Sequence, residues 1–162
     1  MTTNSAEGIR WDLSDLYAAH DDPRIDLTIK DCYARAERFA DRFRALMQDH
    51  ETLTAESLLQ ALSELESIYE TLGRVGSYAG LLYAADTAKP EYQDLTQRVE
   101  QRSTEVRNLL LFFELEWLKF DDTIASRLIT DPTLEAYRHY LINLRRYRPH
   151  TLTELEERVI ND

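Results

Sequence analysis

Cysteine is almost missing from this chain: Cys32 is the only one, which excludes an internal disulfide. Its place between Ile29 and Ala36 on an apolar stripe reads as a small core residue, not a nucleophile. Glycine and proline are scarce, four of each in 162 residues, and that leaves little material for the turns a many-stranded fold needs. An all-α fold is therefore expected. Positive charge is also short. The net charge is −11 with a pI near 4.8, a balance that repels phosphates and anionic lipid, so neither nucleic acid nor membrane is expected as a partner. No stretch approaches the roughly twenty apolar residues that span a bilayer. The opening MTTNSAEGIR lacks the apolar run of a signal peptide, and a cytoplasmic location is expected.

What is present is helical periodicity. Ile29, Tyr33, Ala36, Phe39, Ala40, Phe43 and Leu46 recur at three- and four-residue steps, which predicts a helix from about Asp26 to Met47 with that stripe facing the core. Thr54 is the predicted N-cap of a second helix, Ala55 to Ala85, where Leu58, Leu62, Leu65, Tyr69, Leu72 and Ala79 keep a near-heptad rhythm suited to an antiparallel neighbour. Gly73, Gly76 and Gly80 interrupt it at roughly 1 kcal/mol each relative to alanine, and close backbone approach is one expected reason. Pro90 suits the first position of a third helix. Between Leu109 and Leu118 eight of ten residues are apolar, so this segment is either a central core element or partly covered by a larger body. A short fourth helix is predicted between Asp121 and Asp131, and a fifth from Thr133 to Arg146. Thr153 and Glu156 form a capping box at the start of a last helix. The expected architecture is an antiparallel long-helix bundle, one domain over residues 1–162, with 1–24 as an extended lead-in and 150–162 as the start of a truncated helix.

Chemistry-bearing constellations are thin. The histidines are His20, His50, His139 and His150, and no two are spaced i, i+4, so no local helix face offers paired metal ligands. No Glu-x-x-His occurs, as a di-iron bundle requires. Glu64 with Glu66, and Glu114 with Glu116, sit two residues apart and point to different helix faces. The arginine cluster Arg138, Arg145, Arg146 and Arg148 falls where a helix ends and cations complement its dipole. There is no Gly-rich phosphate loop and no G-x-S-x-G elbow. No catalytic, cofactor-binding or metal residue is assigned, and no cofactor is expected on this chain.

Four segments nonetheless occur in a distinctive order: WDLSDLY (Trp11 to Tyr17), YAGLLYAADT (Tyr78 to Thr87), FFELEW (Phe112 to Trp117) and RRYRPHTLTELEE (Arg145 to Glu157). Together they span nearly the whole chain. In that collinear arrangement the sequence resembles the N-terminal region of the oligoendopeptidase F type zinc metallopeptidases, relatives of thimet oligopeptidase. The resemblance implies a catalytic domain in the same polypeptide beyond Asp162. There an H-E-x-x-H helix with a further glutamate would hold zinc and activate water to hydrolyse short peptides. This part would restrict access to a narrow channel. The alternative is a free-standing acidic helical interaction module without catalysis.

Overall fold

The computed structural model describes residues 11–161; expectations that fall on residues 1–10 and on Asp162 lie outside them. Three long helices dominate: α1 (Pro23–Gln48), α2 (Ala55–Ala85) and α3 (Pro90–Lys119). They are followed by α4 (Asp122–Thr130), a 3-10 turn (Pro132–Tyr137), α5 (Arg138–Arg146), a second 3-10 turn (Arg148–His150) and α6 (Glu154–Asn161). The described residues contain no strand, and the all-α expectation holds.

Cross-helix bonds give the directions. Arg35 of α1 donates to Glu64 Oε1 (3.1 Å) and to Ser67 of α2, while Arg42, further along α1, donates to Gln60, earlier in α2. Numbers rise on one helix as they fall on the other, so α1 and α2 are antiparallel. Short connections, 49–54 and 86–89, leave little alternative. Helix α3 then returns alongside α1: Asp26 pairs with Arg98 near one end, and Phe39 meets Phe112 and Phe113 near the other.

Helix ends follow side-chain chemistry. Thr54 Oγ1 accepts from Ser57 N (3.2 Å), Asp121 from Thr123 N (2.8 Å) and Asp131 from Thr133 N (2.9 Å), each satisfying an amide with no intrahelical partner. Helix α1 starts three residues earlier than Asp26, because Pro23 occupies the first turn and Asp22 is the cap, accepting from Arg24 N at 2.9 Å. Residues 13–21 are not an extended lead-in. They fold into turns, and Leu13, Leu16 and Tyr17 pack on Ile25, Val75 and Tyr78.

The larger core joins Phe39, Phe43 and Met47 of α1, Leu58, Leu62 and Leu65 of α2, and Leu110, Phe112, Phe113 and Trp117 of α3. Leu128, Leu134 and Leu141 close it from the shorter elements. Cys32 is fully buried within it, and burial pushes its thiol up from the ordinary value, away from a reactive thiolate. The structure decides between the readings left open for two features. The apolar segment of α3 is enclosed by this chain itself: Leu110, Phe112, Phe113, Trp117 and even Glu116 are buried, while Leu109, Leu111 and Glu114 are half-buried. The glycines of α2 permit no close approach either, since a Cβ at Gly73, Gly76 or Gly80 would meet nothing within 4 Å. Tyr33, placed on the core stripe by its spacing, is exposed, and Cys32 and Ile25 take the inward positions.

These findings predict opposite effects for two kinds of substitution. Gly73→Ala and Gly80→Ala should each stabilise the chain by about 0.5–1 kcal/mol in denaturant unfolding, because the helix gains propensity without a clash. Phe112→Ala should destabilise by about 3–5 kcal/mol through lost burial and the cavity left behind. A destabilising glycine substitution would mean that a neighbour lies closer than the fold shows.

Candidate functional site

The four histidines are separated, and three of them have a side-chain contact with a neighbour. His20 stands edge-on to Tyr92 (centroids 5.9 Å), His50 stacks on Phe120 (4.0 Å), and His139 Nε2 lies 2.7 Å from Asn143 Nδ2. His150 is exposed on the second 3-10 turn. Among the described residues no group of three or more His, Cys, Asp or Glu side chains converges as a metal site. The described residues therefore offer no ready-made set of zinc ligands. No helix among them is long and apolar enough to cross a membrane.

The acidic pairs separate as their spacing predicts, each carboxylate finding a different partner. Glu64 pairs with Arg35, Glu66 accepts from Tyr137 Oη (2.6 Å), Glu114 from Tyr140 Oη (2.9 Å) and Glu116 from Lys119 (2.9 Å). Burial and then the Glu114 charge push Tyr69 up to about 12 and Tyr140 higher still. Both phenols hold their protons at neutral pH and offer no base near pH 7, and Tyr140 orients Glu114.

The arginine cluster is structural, though in a way the sequence order concealed. Arg145 lies near the end of α5 but donates to Trp117 O (3.2 Å) and Phe120 O (2.9 Å), carbonyls at the end of α3, and also to Asp122. Arg148 reaches Asp122 at 3.1 Å, and Arg138 donates to Ile129 O at 3.1 Å. The guanidinium forks thus satisfy the ends of other helices than their own. The capping box at Thr153 forms as expected: Glu156 N donates to Thr153 Oγ1 (3.4 Å) and Thr153 N to Glu156 Oε2 (2.9 Å).

A groove of about 640 Å³ lies where the first motif meets the end of α2 and the start of α3. Tyr17, Tyr78, Leu82, Lys89 and Tyr92 line it, with Trp11 at its rim. Two of the collinear motifs therefore lie side by side in space. They are distant in sequence, and the tertiary packing of Tyr17 on Tyr78 (centroids 5.0 Å), with Leu13, Leu16 and Leu82 beside them, joins them. Such a surface can hold a ligand, and Asp12, which accepts from Ser14 N at 3.0 Å, belongs to its lining.

The fold and these contacts define an all-α region whose described side-chain clusters tie its helices together. A sequence profile of the family described as Oligopeptidase F matches residues 116–162. Oligopeptidase PepF of Bacillus subtilis is 27% identical over 108 residues, which cover 66% of this chain and 16% of that protein. An oligoendopeptidase F homolog of Borreliella burgdorferi is 25% identical over 154 residues, 95% of this chain and 25% of that protein. No solved structure matches. These matches support an oligoendopeptidase F type N-terminal region, and the chain spans about a sixth to a quarter of the length of the curated relatives it matches.

The cap carboxylates set an acid limit on stability. Hydrogen bonds hold Asp22, Asp121, Asp131 and Glu156 below their ordinary range: from the Arg24 side chain for Asp22, from the backbone amides of Thr123 and Thr133 for Asp121 and Asp131, and from the Thr153 hydroxyl for Glu156. With folded values depressed, their stabilisation is complete above the unfolded values near about pH 4 and is lost as pH falls through the folded values. Thermal unfolding from pH 7 to pH 2 should show a steep decline in that lower window, and Asp22→Asn should make it shallower. Parallel curves for the two proteins would contradict this role.

Proposed function

We propose that this chain is the N-terminal helical domain of a cytoplasmic zinc metallo-oligopeptidase, a single domain that packs on a catalytic domain of the same polypeptide. In this reading it walls the substrate channel and restricts entry to short peptides. The observation that carries it is the match to an oligoendopeptidase F homolog along 95% of the chain, within 25% of that relative. The four collinear motifs point the same way.

The division of labour follows from the side chains. Carboxylates held by phenols and guanidinium groups, and histidines held by rings and an amide, position helices. Zinc and the hydrolytic step belong in this reading to the part beyond residue 162. The groove at Tyr17, Tyr78 and Tyr92 and the polar face at Glu66 and Glu114 are wall surfaces without an assigned substrate contact.

Following the reading frame past residue 162 tests this most directly. The downstream sequence should encode H-E-x-x-H, and the extended polypeptide should cleave a quenched oligopeptide until a chelator is added. The 162-residue chain alone should retain no stoichiometric zinc after dialysis and should not turn the peptide over. Turnover by the short chain, or an extended polypeptide without peptidase activity, contradicts the proposal; in the second case the non-catalytic interaction module replaces it.

A further inference from the structure

Helix α6 is mounted with its polar side toward the bundle. Glu154, Glu157 and Arg158 are its half-buried residues, while Leu155, Val159 and Ile160 are 74%, 69% and 68% exposed. Leu152, just before the helix, is 46% exposed. The attachment is ionic: Glu154 accepts from Arg44 of α1 at 3.2 Å and from Arg158 at 2.7 Å, and Arg44 lies over the Phe112 ring at 4.3 Å. An amphipathic helix in a self-sufficient bundle turns its apolar stripe inward. Here the Arg44 contact and the capping box at Thr153 fix the opposite orientation. Apolar residues at three- and four-residue steps are left in contact with water, a pattern that marks a surface built to be covered.

We propose that the face formed by Leu152, Leu155, Val159 and Ile160 docks an apolar helical stripe of the polypeptide that follows residue 162. The proposal rests on the reading that this chain is part of a longer peptidase, and it replaces the Leu109 to Leu118 segment as the contact surface, since that segment is already enclosed. Two observations select this occupant over a second copy. Residues 116–162, the stretch matched by the Oligopeptidase F profile, contain α6, and the chain covers only 16% and 25% of two curated relatives, which carry the remaining length elsewhere. A second copy would bring the same net charge of −11 and the same acidic first turn, Glu154, Glu156 and Glu157, against an identical surface.

The test is the double variant Leu155→Asp, Val159→Asp, made both in this chain and in the polypeptide extended through the downstream reading frame. In the short chain these side chains already face water, so the unfolding temperature should move by no more than about 2 °C. In the extended polypeptide the same change should expose the region, raising the rate of proteolytic cleavage around residues 146–153 by at least about tenfold. The milder Ile160→Glu should give the same contrast. If the extended variant keeps wild-type protease resistance while the extended wild type is an active peptidase, the docking face is wrong and the peptidase reading stands. If the extended wild type has no peptidase activity, both fall together. Sedimentation of the short chain as a dimer that the double variant converts to a monomer would make a second copy the occupant and overturn the proposal.

Discussion

The fold depends on the aromatic second half of α3 meeting α1. Phe112 and Phe113 lie against Phe39, which in turn tilts against Phe43, and Trp117 packs on Phe120, with ring centroids between 4.9 and 5.9 Å. Rings of this size contribute most of the apolar burial a bundle has available, and their offset and tilted geometries add to it. The polar atoms at this junction are satisfied locally. Trp117 Nε1 donates to Leu141 O (3.1 Å), and Arg145 covers the carbonyls that α3 leaves open. Helices α4 and α5 are consequently tied to the end of α3 by hydrogen bonds as well as by Leu128 and Leu141.

Much of the architecture was legible because its signals are local. Thr54 before a periodic run and Pro90 after a short turn place the starts of α2 and α3, and Asp86 ends α2 where expected. Helix α1 starts before the predicted Asp26 because Pro23 takes a first-turn position, as Pro90 does in α3. The 3-10 form of Pro132–Tyr137 was also missed. Its Asp-Pro opening resembles an ordinary helix start, and its Leu134 is buried in the larger core.

Surfaces were much less legible. Hydrophobicity along Leu109 to Leu118 cannot distinguish a segment wrapped by its own chain from one wrapped by another, because both need apolar residues on most sides. The glycines of α2 posed the same difficulty: spacing shows where a backbone could approach, and only the fold shows that none does. For α6 the sequence marks only the capping box, while the Arg44–Glu154 pair, 110 residues apart in sequence, sets which side of the helix faces the bundle. The absence of a metal-ligand spacing among the histidines was visible at once, but their partners, Phe120 and Asn143 among them, were not.

The central claim is that this region folds around the aromatic end of α3 without help from any catalytic part, and that the apolar side of α6 is left bare. Amide hydrogen exchange on the 162-residue chain addresses it directly, since the slowest amides report the most stable unit. The account predicts the strongest protection in residues 106–120, shared with the facing stretches 36–47 and 58–72, and weak protection in 154–161. Rapid exchange across 106–120 would contradict it, because that segment would then need another body to complete its core.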